Sequence, residues 1–398
     1  MSEWKNVTAE NFCDSVRDGT HDTPKQVEKG YKLVTAKHIY NGQIDLSDAY
    51  LISEKDYKKI NERSKVEKWD VLMSMIGNGL GKSAVVKDTP QYAIKNLALF
   101  KLGNEIKAKW LHYYLSSKMG QGYIYNSLQG SGQPFISLGI LRKFPIPIPT
   151  DTNLMFKVVE ILSRYDSLIE NYQKQIKLLE ESAQRLYKEW FIDLRFPGHE
   201  NTKIVDGVPE GWEKKSIADL GTYLNGFAFK PSDWQETGKP IIKIKEMGNG
   251  INSDTPRNNG ERVPERYLIK SGDLLFSWSA TLMVIVWTGE DGWLNQHLFK
   301  VTPAQGVGRE FLLQSISRTI AEFSNLTTGS TMKHIQRNKL EQVFVNTPTS
   351  EIMNCYSRIA ERLREQILNI SSQIRHLTEA RDRLLPKLMN GEIEMQLY

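Results

Sequence analysis

The sequence predicts an α+β chain: two mixed α/β globular domains separated by two long helices that form an antiparallel coiled coil, with a pseudo-two-fold internal repeat. Three observations lead there. Val158, Leu162, Tyr165, Ile169, Tyr172, Ile176, Leu179, Ala183, Leu186 and Trp190 follow the alternating four-three spacing of a heptad seam. Such spacing keeps one stripe of a helix against one partner helix. Adding 198 to each number gives Tyr356, Ala360, Leu363, Ile367, Ile370, Ile374, Leu377, Arg381, Leu384 and Leu388, where Arg381 alone interrupts the apolar pattern. The repeat is also wider than the helices. An offset of 199 lays Asn96 on Asn295, Phe100 on Phe299, Gly130-Ser131 on Gly329-Ser330, Ile136 on Ile335, Leu141 on Leu340 and Pro149 on Pro348. An offset of 203 lays Asp70-Val-Leu on Asp273-Leu-Leu. Two copies of about this size are two domains of one kind, not a solenoid.

The first domain spans residues 1–150. Tyr31–Ala36, Asp70–Ile76, Ser83–Val86 and Leu97–Leu102 read as strands, and Lys109–Ser117 as a helix. Ser137 is a candidate cap for a short helix at Leu138–Lys143. The alternating prolines of Phe144-Pro-Ile-Pro-Ile-Pro forbid helix and favour an edge strand. A helical spacer covers 151–198, with Pro197-Gly198 as its breaker. The second domain spans 199–349. Ile241-Ile-Lys-Ile-Lys, Gly272–Trp278 and Leu282–Trp287 read as strands there, and Phe311–Ser317 as a helix. The second helical spacer covers 350–398. The helix-pairing positions expected from the seams are Leu162, Ile169, Ile176, Leu179, Leu186 and Trp190, facing Leu363, Ile367, Ile374, Leu377, Leu384 and Leu388. Arg381, at the position that repeats the small Ala183, is a candidate register-setting residue. Phe156, Ile161, Leu168, Ile352 and Ile359 lie off the seam. That is more apolar surface than two helices bury, which points to helices docking from other chains.

A chain of 398 residues suggests more than one core. Its start lacks a signal-peptide pattern and no stretch approaches a membrane span, so a cytoplasmic protein with no membrane partner is expected. Two cysteines exclude a disulfide framework and a thiolate metal site. The net charge of +5 is concentrated in residues 1–150, which hold 21 Lys+Arg against 15 Asp+Glu. A basic excess suits a polyanion and equally a lysine-rich soluble surface.

Motifs for chemistry are few. Gly77-Asn-Gly-Leu-Gly-Lys82-Ser83 imitates a phosphate loop, but Ile76 stands where glycine belongs and a strand, not a helix, follows. A glycine-rich hairpin tip that touches phosphate is the alternative. No Asn/Asp-Pro-Pro-aromatic motif for base methylation exists. Glu105-Ile-Lys107 and Glu213-Lys-Lys215 imitate only the tail of a nuclease site, and the histidines have no metal-ligand spacing. Asn295-Gln-His297 could read adenine and reach phosphate, or could be a polar cluster capping a strand end, the reading favoured here.

Several segments carry a resemblance: Leu186-Tyr-Lys-Glu-Trp-Phe-Ile-Asp-Leu-Arg-Phe-Pro-Gly-His-Glu, Val208-Pro-Glu-Gly-Trp-Glu, Gly272-Asp-Leu-Leu-Phe-Ser-Trp-Ser, Trp293-Leu-Asn-Gln-His-Leu-Phe-Lys-Val, Ser330-Thr-Met-Lys-His-Ile and Arg383-Leu-Leu-Pro-Lys-Leu-Met-Asn-Gly-Glu-Ile. With the order domain, helix, domain, helix, the chain resembles the specificity subunit of a type I restriction–modification system. That resemblance implies two target recognition domains, each reading half of an asymmetric bipartite site on double-stranded DNA, and helices that set the spacer. It further implies two methylation subunits carrying S-adenosylmethionine and restriction motor–nuclease subunits carrying ATP and Mg2+. This chain itself would hold no cofactor or metal and catalyse nothing. Loop residues expected to touch DNA are Lys37, Asn78, Lys82, Ser131 and Gln133 in the first domain. In the second they are Lys243, Lys245, Asn295, Gln296 and His297, with Ser330, Lys333 and His334. The rival readings are a self-contained nuclease or methyltransferase, a coiled-coil adaptor without DNA binding, and a subunit serving a modification-only system.

Overall fold

The computed structural model describes residues 4–40, 42–130, 132–252, 254–325 and 337–391. The chain forms two compact units, Met1–Ile169 with Leu377–Tyr398, and Glu170–His376. Each holds one globular domain and one end of both long helices.

In the first unit a four-stranded antiparallel sheet has the order Ser15–Asp18, Leu97–Lys101, Val71–Ser74, Ser83–Val85. All but the edge strand Ser15–Asp18 read as mainly apolar runs because both faces are covered. Ala98 and Phe100 point to a core shared with Trp110 and Leu111, whereas Leu97 and Leu99 point to one shared with Val34 and Ile94. Tyr31–Val34 runs parallel to Tyr92–Ile94 and antiparallel to Leu51–Ile52. Trp4–Thr8 pairs with Pro145–Pro149, so the proline-alternating segment is a strand of a two-stranded ribbon.

The second unit repeats this plan. Its main sheet has the order Gly221–Asn225, Leu298–Pro303, Leu274–Ser277, Met283–Val286. Phe276 and Phe299 face one core, and Leu275 and Leu298 face another. Lys239–Ile242 runs parallel to Gly292–Leu294, and Glu213–Ser216 pairs with Phe344–Thr347.

The long helices are Thr152–Tyr187, prolonged by a π-helical turn at Lys188–Ile192, and Ser350–Met389. Leu194 and then Gly198, both at positive φ, turn the chain after the first. In the first unit Leu154, Val158 and Leu162 share a core with Leu385, Leu388 and Met389. In the second, Tyr187, Trp190 and Phe191 share one with Met353, Tyr356 and Ala360. In each unit the start of one helix meets the end of the other, as an antiparallel pair requires. Leu162, Ile169, Trp190, Ile367 and Leu388 are buried. Ile176, Leu179, Leu186, Leu363, Ile374, Leu377 and Leu384 are half-buried. Of the apolar residues off the seam, Phe156, Leu168 and Ile359 are exposed. Ile161 and Ile352 instead pack against the cores, which corrects the expectation that all five are surplus.

Other differences have local causes. The strand expected to run through Lys245 ends at Ile242, and a helix covers Ile244–Asn249. The buried Glu246 carboxylate accepts the Lys243 backbone N–H at 3.1 Å and closes that helix start. Two helices escaped the periodicity, Glu54–Ser64 and Lys118–Asn126, although each has a serine cap: Ser53 accepts from the Asp56 N–H and Ser117 from the Gly120 N–H, both at 3.1 Å. Ser137 caps its helix by position only, without a side-chain bond. Of the two thiols, Cys13 lies in the first unit's core, where burial first and Asp14 second push it up to about 12. Cys355 is half-buried on the second long helix.

Candidate functional site

In both units the loops at one end of the main sheet are drawn together around a close backbone crossing. Gly226 N–H donates to Leu298 O at 3.1 Å and Phe227 N–H to Leu294 O at 2.9 Å. A Cβ on Gly226 would stand 2.2 Å from Asn295 O. At the matching place in the first unit, Gly19 N–H donates to Leu97 O at 2.9 Å, and a Cβ on Gly19 would stand 2.4 Å from Ile94 O. Only glycine fits such crossings. They fix where the chain enters the loops Lys95–Leu97 and Asn295–Leu298.

The first unit's cluster is built on the hairpin between Val71–Ser74 and Ser83–Val85. Gly77 and Gly81 supply its positive φ, and Ser74 N–H donates to Lys82 O at 2.9 Å. The phosphate-loop imitation is therefore a hairpin tip, with no helix after Ser83. A second tip leans on it: Gln129 and Phe135 exchange backbone bonds at 2.9 Å, and Ile136 N–H donates to Met75 O at 3.0 Å. Gln133 reaches back, its Nε2 3.5 Å from the place of a Gly77 Cβ. The Lys82 ammonium stands 5.8 Å from the centroid of the exposed Tyr40 ring. Lys37 sits beside them on the turn Ala36–His38, donating to Asp48 Oδ2 at 2.7 Å. That bond holds the Asp48 carboxyl below its ordinary range. Lys37, Lys82 and Gln133 thus share one end. The Asn78 side chain and Ser131 lie outside the described residues.

In the second unit, Asn295 N–H donates to Ile242 O at 3.2 Å, which brings the Asn295–His297 loop beside the segment that begins at Lys243. The Lys243 ammonium lies 4.5 Å from the centroid of the exposed Trp234 ring, and burial lowers its proton affinity. Lys245 is exposed on the helix that follows. Asn295 is buried and structural: its Oδ1 accepts from His297 N–H at 3.4 Å and its carbonyl from Leu298 N–H at 3.0 Å. Gln296 Nε2 and His297 Nε2 are 3.5 Å apart, and the His297 and Trp278 ring centroids 5.8 Å. The Trp278 indole N–H donates to Asn225 Oδ1 at 3.1 Å. Lys243, Gln296 and His297 are therefore neighbours in the fold. Ser330, Lys333 and His334 lie outside the described residues.

Sequence reasoning missed Tyr40, Phe135, Trp234 and Trp278, the aromatic part of both clusters. The first three are exposed. An aromatic in a loop reads as core until its burial is known; the adjacent lysines were the available signal. Chains of cations with interleaved aromatics suit a polyanion with stackable bases.

Carboxylates beside the main sheets, Asp70 buried and Asp273 half-buried, have structural uses. Asp70 binds the Lys101 ammonium at 2.7 Å, and Asp273 binds Lys300 at 2.7 Å at the matching place. Each also accepts the backbone N–H of the residue three before it, Glu67 or Lys270, at 2.7 Å. Burial raises the Asp70 carboxyl. Glu105 pairs with Lys109 and Glu213 with Lys215, away from any assembled triplet. Among the described residues no three His, Cys, Asp or Glu side chains are grouped to hold a metal, and no helix is long and apolar enough to cross a membrane.

Comparison with known proteins adds the following. The family model described as type I restriction modification DNA specificity domain matches residues 1–181 and 209–377. The MjaIX type I restriction enzyme specificity subunit of Methanocaldococcus jannaschii is 25% identical over 309 residues, 73% of this chain and 70% of that protein. The HindI type I restriction enzyme specificity subunit of Haemophilus influenzae is 24% identical over 405 residues, 83% of this chain and 88% of that protein. The crystal structure of the type I restriction–modification S subunit from M. genitalium aligns over 99% of this chain and 97% of that one, with a TM-score of 0.52 and 14% identity. Its likeness is one of fold.

Proposed function

The chain belongs to the type I restriction–modification DNA specificity family, and from that premise we propose how it works. It is a specificity subunit without catalytic machinery of its own. Each unit reads one half of a bipartite DNA site. The observation that carries this is the duplicated frame with unlike tips. Both sheets have one strand order and the same glycine crossing, yet the first unit presents Lys37, Lys82 and Gln133 and the second Lys243, Gln296 and His297. Unlike tips on like frames read unlike sequences, so the two half-sites differ. Lysines hold the backbone and amides or aromatics meet base edges.

The helices serve as spacer. The first has 36 residues and is about 54 Å long at 1.5 Å per residue. Phe156, Leu168 and Ile359, exposed on the helices, support docking of methylation subunits there. S-adenosylmethionine, ATP and Mg2+ belong to those and to the motor–nuclease subunits. A flipped adenine enters the methylation subunit, not this chain.

The test is to map modified adenines in DNA from cells expressing the chain with its methylation subunit. One asymmetric bipartite motif is expected, and none with either protein alone. Deleting one heptad from each helix shortens the spacer by about 10 Å, close to three base pairs. The motif's gap should shorten or recognition should vanish. An unchanged gap, or modification by the chain alone, would sink the reading.

A further inference from the structure

Two positions on the long helices, one turn apart, meet the globular helix that follows each central strand, and the two units equip them differently, with opposite charge at the second. In the first unit they are Ser163 and Asp166. Tyr113, on the helix Glu105–Ser116, donates its hydroxyl to Asp166 Oδ2 at 2.6 Å and lies 3.3 Å from Ser163 Oγ. The balancing cation comes from the other long helix, Arg381 Nη1 donating to Asp166 Oδ1 at 2.8 Å. Adding 198 gives Glu361 and Arg364. There the partner is the helix Arg309–Asn325. Arg364 donates through Nε and Nη2 to both oxygens of Glu310, at 2.9 and 3.2 Å, and both side chains are buried. Gln314 adds a bond to Glu310 at 2.8 Å, and Glu361 accepts from Arg309 Nη2 at 2.7 Å and from the Glu310 N–H at 3.1 Å. The position that repeats Arg381 is Ala183, buried and chargeless.

The geometry points to a position lock: Ser163, Asp166 and Arg381 accept only the first globular domain, and Glu361, Arg364 and Ala183 only the second. Placed in the first position, the second domain would bring the buried Glu310 to the carboxylate of Asp166 in place of the guanidinium of Arg364, and Arg309 would meet the neutral Ser163 in place of Glu361. A buried carboxylate stripped of its guanidinium is costly, whereas a bidentate guanidinium–carboxylate pair is satisfied. The lock keeps two half-site readers that share one frame from taking each other's place. It rests on the reading of the chain as a two-reader specificity subunit.

Two full-length chimeras test it. In the first, residues 1–150 are replaced by a second copy of residues 199–349. The second carries in addition Ser163→Glu, Asp166→Arg and Arg381→Ala, which reproduce the Glu361, Arg364 and Ala183 environment. Limited proteolysis should cut the transplanted domain of the first chimera at least about 100-fold faster than the native first domain, as a broken buried ion pair raises the open population. The second chimera should regain resistance to within about tenfold of the native domain. With the methylation subunit it should also modify a symmetric site built from the second half-site twice. Equal behaviour of the two chimeras, both resistant or both degraded, overturns the lock. Should the native chain with its methylation subunit modify no bipartite site, the DNA reading fails, and the proteolysis comparison still decides the lock.

Discussion

Gly226→Ala offers a direct check on the crossing that places the second unit's loops. The added methyl would stand 2.2 Å from Asn295 O, 2.4 Å from its carbonyl carbon and 2.6 Å from Leu294 O. Real Cβ atoms essentially never come closer than 3.0 Å, so the two segments must part by roughly 1 Å. Three backbone hydrogen bonds span the crossing: Gly226 to Leu298 at 3.1 Å, and Phe227 to Leu294 and Gln296 to Phe227 at 2.9 Å. Such a shift takes them to the limit of useful geometry, and each bond is worth about 1 kcal/mol net. Two or three lost bonds give a destabilisation of about 2–4 kcal/mol. Gly139→Ala is the control. It lies in the helix Leu138–Arg142 with open space around its Cβ position, and alanine there should gain up to about 1 kcal/mol. Urea unfolding of both variants, with adenine modification measured below the transition, gives the comparison. Gly226→Ala should also lose modification while still folded, because Gln296 and His297 move with Asn295. A change below about 0.5 kcal/mol, or modification at the native level, would refute the claim that this crossing positions the loop.

Arg364→Met leaves Glu310 buried without its cation and should cost about 3–5 kcal/mol, whereas Arg364→Met with Glu310→Met should recover most of it; urea unfolding of the two variants decides. His112, half-buried with Nδ1 2.9 Å from Ser83 Oγ, is lowered by burial from 6.5 to about 4. The unfolded chain therefore binds the proton first, and the first unit should lose stability as pH falls from about 6.5 to about 4. His112→Gln should flatten that slope in thermal melts taken across the range. Lys82→Ala and Lys245→Ala should each reduce the salt dependence of DNA binding by close to one counterion, measured by titration at several salt concentrations. Lys37→Ala should do less, since Asp48 already binds its ammonium; equal slopes for all three would count against the clusters as DNA contacts.

The helices were the most legible part of the chain because their signal is long: an apolar stripe from Val158 to Trp190 leaves no other period to fit. The main sheet strands were legible for a related reason, since burial on both faces makes Leu97–Phe100 and Leu274–Phe276 continuous apolar runs. Trp4–Thr8 was not, because this ribbon strand is half polar and its pairing with Pro145–Pro149 spans the whole domain. Ile-Lys-Ile-Lys at 241–245 alternates like a strand, and the buried Glu246 carboxylate, a contact three residues on, decides for helix. At the site, the sequence pointed to the hairpin at Asn78–Lys82 and the loop at Asn295–His297, both marked by turn chemistry. It could not show which aromatics stay exposed, or that Asp166 and Arg364 answer different partners. The partners of Asp166 and Arg364 on the globular helices lie 53 and 54 residues away in the chain, beyond any local pattern.

The two cysteines carry a practical consequence. One thiol falls in each unit, Cys13 buried among the first unit's core residues and Cys355 half-buried on the second's helix. A thiol reagent should therefore modify Cys355 on the native protein and reach Cys13 only when the first unit opens. Without any engineered probe, the order and rate of labelling reports the opening of the first unit against a standing internal reference in the second.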